Sequence, residues 1–300
     1  MQPLQLFAHF YADFDHYWQF EMDSRFTGHV GTFLDALSLF ARQQPRKQAR
    51  ERASYDYIPR VHGTYSQFSA SVNKSLNGGG LWGPDRIKDI KPIGPAPPTA
   101  RPEDDNFYWG VGEDADLIVL KQCATVSRMQ DWVYKDWVGG FQDGNDVPRT
   151  ACPPAQARAS WNLLNAIHKS QAVDALRVPS EATLPSWALW HGLKMILAPQ
   201  PYYHDPEHDI WEMDEFWNGG PIGSQDDGMA YGLGMYNWTG HGEIVTSTTW
   251  VWASEFPSKI MDSWLDDNVG AELPYVMRTH DGHVMAPNLA LHPRKTNRNP

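Results

Sequence analysis

Apolar and polar residues alternate near the start of the chain. In "YWQFEMDSRFTGH", residues 17–29, Trp18, Phe20 and Met22 share one parity, and Gln19, Glu21, Asp23 and Arg25 share the other. That is the period of a strand with one buried face, here the Trp18 face. Downstream, "TFLDALSLFARQQ" spaces Phe33, Leu34, Leu37 and Phe40 along one helical face, with Pro45 as the stop. After the basic run "RKQARER", residues 61–106 turn to Gly, Pro, Ser and charge, which predicts a long surface loop or insertion. Loops of that length serve as lids or binding loops, or are inserts without function, and both readings stay open here.

Order resumes at "FYWGVGEDADLIVLKQC", where Asp116 to Leu120 reads as a buried strand. Gly110, Gly112 and Ala115 spell G-x-G-x-x-A, but a dinucleotide fingerprint follows a strand and opens a helix, whereas this apolar run comes afterwards. "ASWNLLNAIHKSQAV" predicts a helix with Trp161, Leu164, Ile167 and His168 on one stripe. "PSEATLPSWALWHGLKMILAPQP" predicts a helix capped by Ser180, then an extended run from Leu193 to Ala198. "GEIVTSTTWVWAS" predicts a strand and "SEFPSKIMDSWLDD" a late helix. Helices alternating with strands, without repeats, give an α/β class: a mixed sheet flanked by helices in a single domain over 1–300.

Composition narrows the function. Three hundred residues suffice for one large domain, and a net charge of −11 argues against a nucleic-acid partner. Fourteen Trp, twelve Tyr and twelve Phe exceed what core filling usually demands. Such rings serve sugar-handling proteins as stacking platforms, although Trp and Tyr are also ordinary core and interface residues. Cys123 and Cys152 have no metal-type spacing and leave room for one optional disulfide. No window approaches a membrane span. Asn73 and Asn237 lie in N-x-S/T triplets that permit glycosylation in a secretory lumen.

Glu21 and Asp23 point the same way near a strand's end, and Mg²⁺ or Mn²⁺ takes one or two such carboxylates and leaves positions for phosphate oxygens. The other reading is an amphipathic strand with a local Asp23–Arg25 pair. "YYHDPEHD" puts His204 and His208 four apart, but Pro206 between them favours a loop over a metal-binding helix. No nucleophile elbow, P-loop or Cys-nucleophile signature is present. A carboxylate pair flanking a sugar bond would also describe a glycosidase. The C-terminal "RTHDGHVMAPNLALHPRKTN" sets histidines near Arg and Lys, either as a polar tail or as the completion of a metal and phosphate site.

The order "YWQFEMDSRFTGH", "WGVGEDADLIVL", "SEATLPSWALWHGLK", "NGGP" and "APNLALHPRKTN" resembles a family of fungal proteins that share a domain of unknown function, from about Phe7 to Asn297. That family looks like a distant relative of metal-dependent A-type glycosyltransferases. The resemblance implies a GT-A-like fold and membrane-anchored enzymes of the Golgi or secretory-pathway lumen. They would transfer sugar from a nucleotide-sugar donor to a glycan or glycoprotein acceptor. Carried over residue by residue, it implies that Glu21 and Asp23 hold Mn²⁺ or Mg²⁺ and that Arg25 contacts phosphate. Glu113, Asp114 and Asp116 match the second acidic motif, where an acceptor-side base could sit. Glu181 matches the third, and His292 is the implied late metal contact. Such transferases place roughly a hundred residues of nucleotide-binding strands before the first acidic motif, part of a domain of normal size. Only twenty residues precede Glu21 here, so the expectation is a chain missing its N-terminal nucleotide-binding strands. A catalytically inactive truncated homologue or glycan-binding module is the alternative, and a glycoside hydrolase the second.

Overall fold

The computed structural model describes residues 2–46, 59–71 and 82–198, apart from 21, 23, 27–28, 65, 69, 102–103, 107, 121–122, 127–131 and 153–156. Near the C-terminus it describes the backbones of three short strands. The predicted strand in "GEIVTSTTWVWAS", the predicted helix in "SEFPSKIMDSWLDD", the "YYHDPEHD" loop and both glycosylation triplets lie outside the described residues.

Chain order is α1 (Gln2–Phe10), β1 (His16–Gln19), β2 (Arg25–Phe26), α2 (Val30–Arg42), the single turn α3 (Pro59–His62), β3 (Leu117–Val119), β4 (Ala124–Thr125), β5 (Thr150–Ala151), β6 (Ala157–Ser160), α4 (Trp161–Val173), α5 (Ser180–His191) and β7 (Met195–Leu197). The C-terminal strands are β8 (Arg278–His280), β9 (His283–Met285) and β10 (Ala290–Leu291). The central sheet has the order β1-β6-β3-β7: β6 is antiparallel to β1 and β3, and β7 is parallel to β3. The register sets Gln19 beside Ala157, Ala157 beside Val119 and Val119 beside Leu197. β1, β3 and β7 therefore run the same way and end at one edge.

Strand alternation builds two cores. Tyr17, Leu117, Val119, Ala157, Ala159, Met195 and Leu197 face a core shared with α1, α4 and α5. Ile118, Ile196, Leu120, Ala198 and Trp18 face a second core filled by Leu37 and Ala41 of α2. This three-layer arrangement, a mixed four-stranded sheet packed with helices, is an α/β fold. It corrects the single buried face expected for β1. Tyr17 is buried in one core while Trp18 is half-covered in the other, and Met22 stands 96% exposed. Apolar parity pointed to one buried face because it does not register a helix laid over the second.

Two other local expectations also change. Ser180 is the first helical residue, Pro179 holds the N-cap position, and the Ser180 hydroxyl donates to Glu181 at 2.8 Å. Residues 82–101 form neither helix nor strand, yet they are fastened to the end of α5. The Asp85 N–H donates to the Leu189 carbonyl and the Gly94 N–H to the His191 carbonyl, each at 2.8 Å, and Ile90 is buried. At Gly94 a Cβ would run into the His191 and Gly192 carbonyls, so only glycine brings the strap this close.

The start of the sheet is tied by one carboxylate. Asp116 accepts from the Ser160 hydroxyl and from the Lys194 N–H, both at 3.0 Å, while its carbonyl accepts from the Ser160 N–H at 2.7 Å. These bonds fasten the first residue before β3 to the end of β6 and the start of β7. The buried Lys194 ammonium donates to the carbonyls of Gly110 at 2.8 Å and Glu113 at 2.7 Å, which holds the loop leading into β3.

Asp116→Ala removes both side-chain bonds and strands the Lys194 N–H, at about 1.5–3 kcal/mol for each bond to a charged group. Chemical denaturation should show a loss of about 3 kcal/mol or more. His191 is buried, and that burial lowers its pKa, outweighing a backbone hydrogen bond with Lys91 that raises it. The folded state therefore favours neutral imidazole, and this contribution is present above the unfolded value of about 6.5 and lost as pH falls below it. Unfolding free energy should decline as pH falls below about 6.5, by at most about 1.4 kcal/mol per pH unit for this group. A His191→Gln variant should show a flatter decline.

Candidate functional site

The edge where β1, β3 and β7 end is the one at which open α/β sheets bind ligands. It gathers the start of β6, the chain leaving β3 through Cys123, and the hairpin β4–β5. Cys123 and Cys152 form a disulfide that holds the hairpin to the strand end, realising the optional pairing. Glu181 lies at this edge too, because α5 runs back from it and finishes where β7 begins. Pro185 inside α5 lacks the N–H that would reach the Glu181 carbonyl four residues earlier, and the Cys152 N–H takes that carbonyl instead at 3.0 Å. The local sequence thus fixes the Glu181 backbone to the disulfide and leaves its half-buried carboxylate hydrogen-bonded by Ser180.

The helix that follows β1 also begins at this edge. The His29 imidazole accepts from the Thr32 N–H at 3.1 Å as the cap of α2. At its far end Arg42 meets Gly112: its Nε donates to the Gly112 carbonyl and its own carbonyl accepts from the Gly112 N–H, both at 2.8 Å.

The opposite edge holds Glu113, Asp114 and Asp116. Glu113 is exposed and pairs with Arg46 Nε at 2.6 Å, and Arg46 also stands 4.0 Å from Asp116. Asp114 is exposed, and Asp116 is engaged by Ser160 and Lys194. Arg158 is buried and donates to the Ala115 carbonyl at 2.9 Å. Half-buried His16 has its pKa lowered by burial and by the Arg158 charge, against the pull of Asp114, Asp116 and Asp15. Asp116 lies level with the start of β1, so the central acidic motif sits about 10 Å along the strands from the end of β1. The structure brings Glu113, Asp114 and Asp116 to one place and Glu181 to another.

Glu21, Asp23 and His292 lie outside the described residues, and of Arg25 the backbone is described. That backbone carries the longest-range pairing in sequence: β2 is antiparallel to β10, with Arg25 opposite Leu291 and Phe26 opposite Ala290. The stretch that follows Asp23 is thereby laid against the stretch that leads into His292. Among the described residues no three His, Cys, Asp or Glu side chains converge as a metal site.

Sequence reading left several residues without a role. Arg46 appeared only as the first residue of a basic run, and its partner Glu113 is far along the chain. Nothing local marked His16 or Arg158. Tyr134 and Trp137 were present only in the aromatic total.

No described helix is long and apolar enough to cross a membrane. No curated protein and no solved structure matches the chain. A family model described as a protein of unknown function, DUF3405, matches residues 1–296, nearly the full length. The strand, the two acidic segments and the C-terminal pairing are therefore features of one continuous family domain, and the chain belongs to the DUF3405 family.

Proposed function

We propose that the protein is a metal-dependent, glycosyltransferase-like protein that binds a nucleotide-sugar donor at the edge where β1, β3 and β7 end. The observation that carries the reading is the pairing of Arg25 with Leu291, since Asp23 precedes the first by two residues and His292 follows the second directly. Two carboxylates and an imidazole make a suitable donor set for Mn²⁺, and two carboxylates alone suit Mg²⁺. A divalent ion held by Glu21, Asp23 and His292 would neutralise the donor diphosphate as the sugar departs. Arg25 would contact a phosphate oxygen, and the start of α2, with no acidic residue in its first turn, favours negative charge nearby.

The edge argument also selects the base. A general base must lie within hydrogen-bond reach of the acceptor hydroxyl. Glu113, Asp114 and Asp116 stand at the other end of the strands, and Asp116 is committed to holding the sheet. Glu181 is the candidate carboxylate at the donor edge, and in an inverting reaction it would take the acceptor proton. The buried disulfide fits folding in an oxidising compartment, which agrees with a secretory-pathway lumen.

A nucleoside diphosphate with Mn²⁺ should raise the melting temperature, since ligand at about 100 times its Kd stabilises by about 2.7 kcal/mol. Glu21→Ala and Asp23→Ala should each abolish the shift. An unchanged melting temperature in the parent chain, or a shift that both variants keep, sinks the reading. Glu181→Gln should lower the release of nucleoside diphosphate from a donor sugar by about 100-fold or more without weakening nucleotide binding. Glu113→Gln should leave that rate within a few fold, and the reverse ranking would return the base to the central motif.

A further inference from the structure

We infer that the turn at residues 132–137 is a binding site for a neutral pyranose, with the rings of Tyr134 and Trp137 as its stacking surface. Trp137 is 66% exposed, Tyr134 39% and Val133 75%. Apolar surface left in water forgoes about 25 cal/mol per Å² of burial, so covering two aromatic rings displayed on one turn would be favourable. Their centroids are 4.8 Å apart and their planes meet at 64°, an edge-to-face pair that forms a corner with its outer ring faces exposed.

The corner is built rather than incidental. Trp132 is buried beneath the turn, its ring edge-on to Tyr134 at 6.2 Å. The Lys135 N–H donates to the Trp132 carbonyl and the Trp137 N–H to the Tyr134 carbonyl, both at 3.0 Å. Arg149, buried at the foot of β5, donates from Nη2 to the Lys135 carbonyl at 2.8 Å and from Nη1 to the Asn145 carbonyl at 3.1 Å. A guanidinium withdrawn from water to hold two loop carbonyls fixes the rings before any ligand arrives, which lowers the entropic cost of binding.

The ligand class follows from shape and charge. The three exposed apolar side chains among the described residues of this turn fall far short of the roughly 800 Å² per partner that a stable protein interface buries. A pyranose instead presents one small apolar C–H face to a ring's negative π surface and a rim of hydroxyls around it. Exposed Asp136, between the two rings in sequence, supplies an acceptor for that rim. Asp136 also adds to the net charge of −11, which disfavours an anionic sugar. The excursion carrying the turn leaves the sheet through Cys123 and β4, at the donor edge. On the transferase reading, this corner receives the acceptor glycan.

The test titrates the full chain with methyl glucopyranoside, galactopyranoside and mannopyranoside by saturation-transfer NMR and calorimetry, without nucleotide or metal. Saturable binding of at least one is expected, weakened about tenfold or more in Trp137→Ala and in Tyr134→Ala. Both rings are exposed, so the variants should melt where the parent does. Absence of saturable binding to the parent, or equal affinity in both variants, overturns the inference. Ring-dependent binding alongside no response to nucleoside diphosphate and Mn²⁺ would keep this site and remove the transferase. Loss of sugar binding with that response intact would do the opposite.

Discussion

The described fold depends on how the Asp116 carboxylate is spent. One residue before β3, it accepts from a hydroxyl on β6 and an amide at β7, so a single side chain lines up the starts of β3 and β7 with the end of β6. With that line fixed, alternation sends Leu117 and Val119 to one core and Ile118 to the other. A carboxylate taking charge-assisted hydrogen bonds in a half-buried position is strong structural cement. Both its oxygens are thereby occupied, one by the Ser160 hydroxyl and one by the Lys194 N–H.

A division of labour organises the molecule. The edge where β3 and β7 start carries a network of charged side chains: Arg46 with Glu113, the Lys194 ammonium under the carbonyls of Arg42, Gly110 and Glu113, and Arg158 against the Ala115 carbonyl. The strand ends carry the disulfide, the first turn of α5 and the hairpin bearing the aromatic corner. In "GEDAD" Glu113 pairs with Arg46 and Asp116 ties β3 to β6 and β7, whereas Glu181 stands at the opposite edge.

Much of this was legible from residue pattern. The helices at Val30–Arg42, Trp161–Val173 and Ser180–His191 and the strand at Leu117–Val119 follow from periodicity, and the Gly110–Gly112 turn precedes the strand as the rejected fingerprint requires. The misread parts share one cause, dependence on partners distant in sequence. Trp18 and Tyr17 are both covered because helices arrive on both faces of β1, and α1, rich in exposed rings, has no clean stripe to announce it. The Gly- and Pro-rich strap looked like loose surface because its fastening uses backbone bonds to α5, which no side-chain pattern encodes. The separation of the two carboxylate groups was equally hidden, since it follows from β6 running antiparallel between β1 and β3. For the site, residue types were readable and their grouping was not.

The seam between β2 and β10 joins segments from the two ends of the sequence. On the ribosome, the four sheet strands have all emerged by residue 197, whereas Arg25 must wait for Leu291 before its edge is closed. A stop codon just before Ala290 would spare the central sheet but leave this seam unzipped. The Arg25–Phe26 strand, made long before, would then never acquire its neighbour.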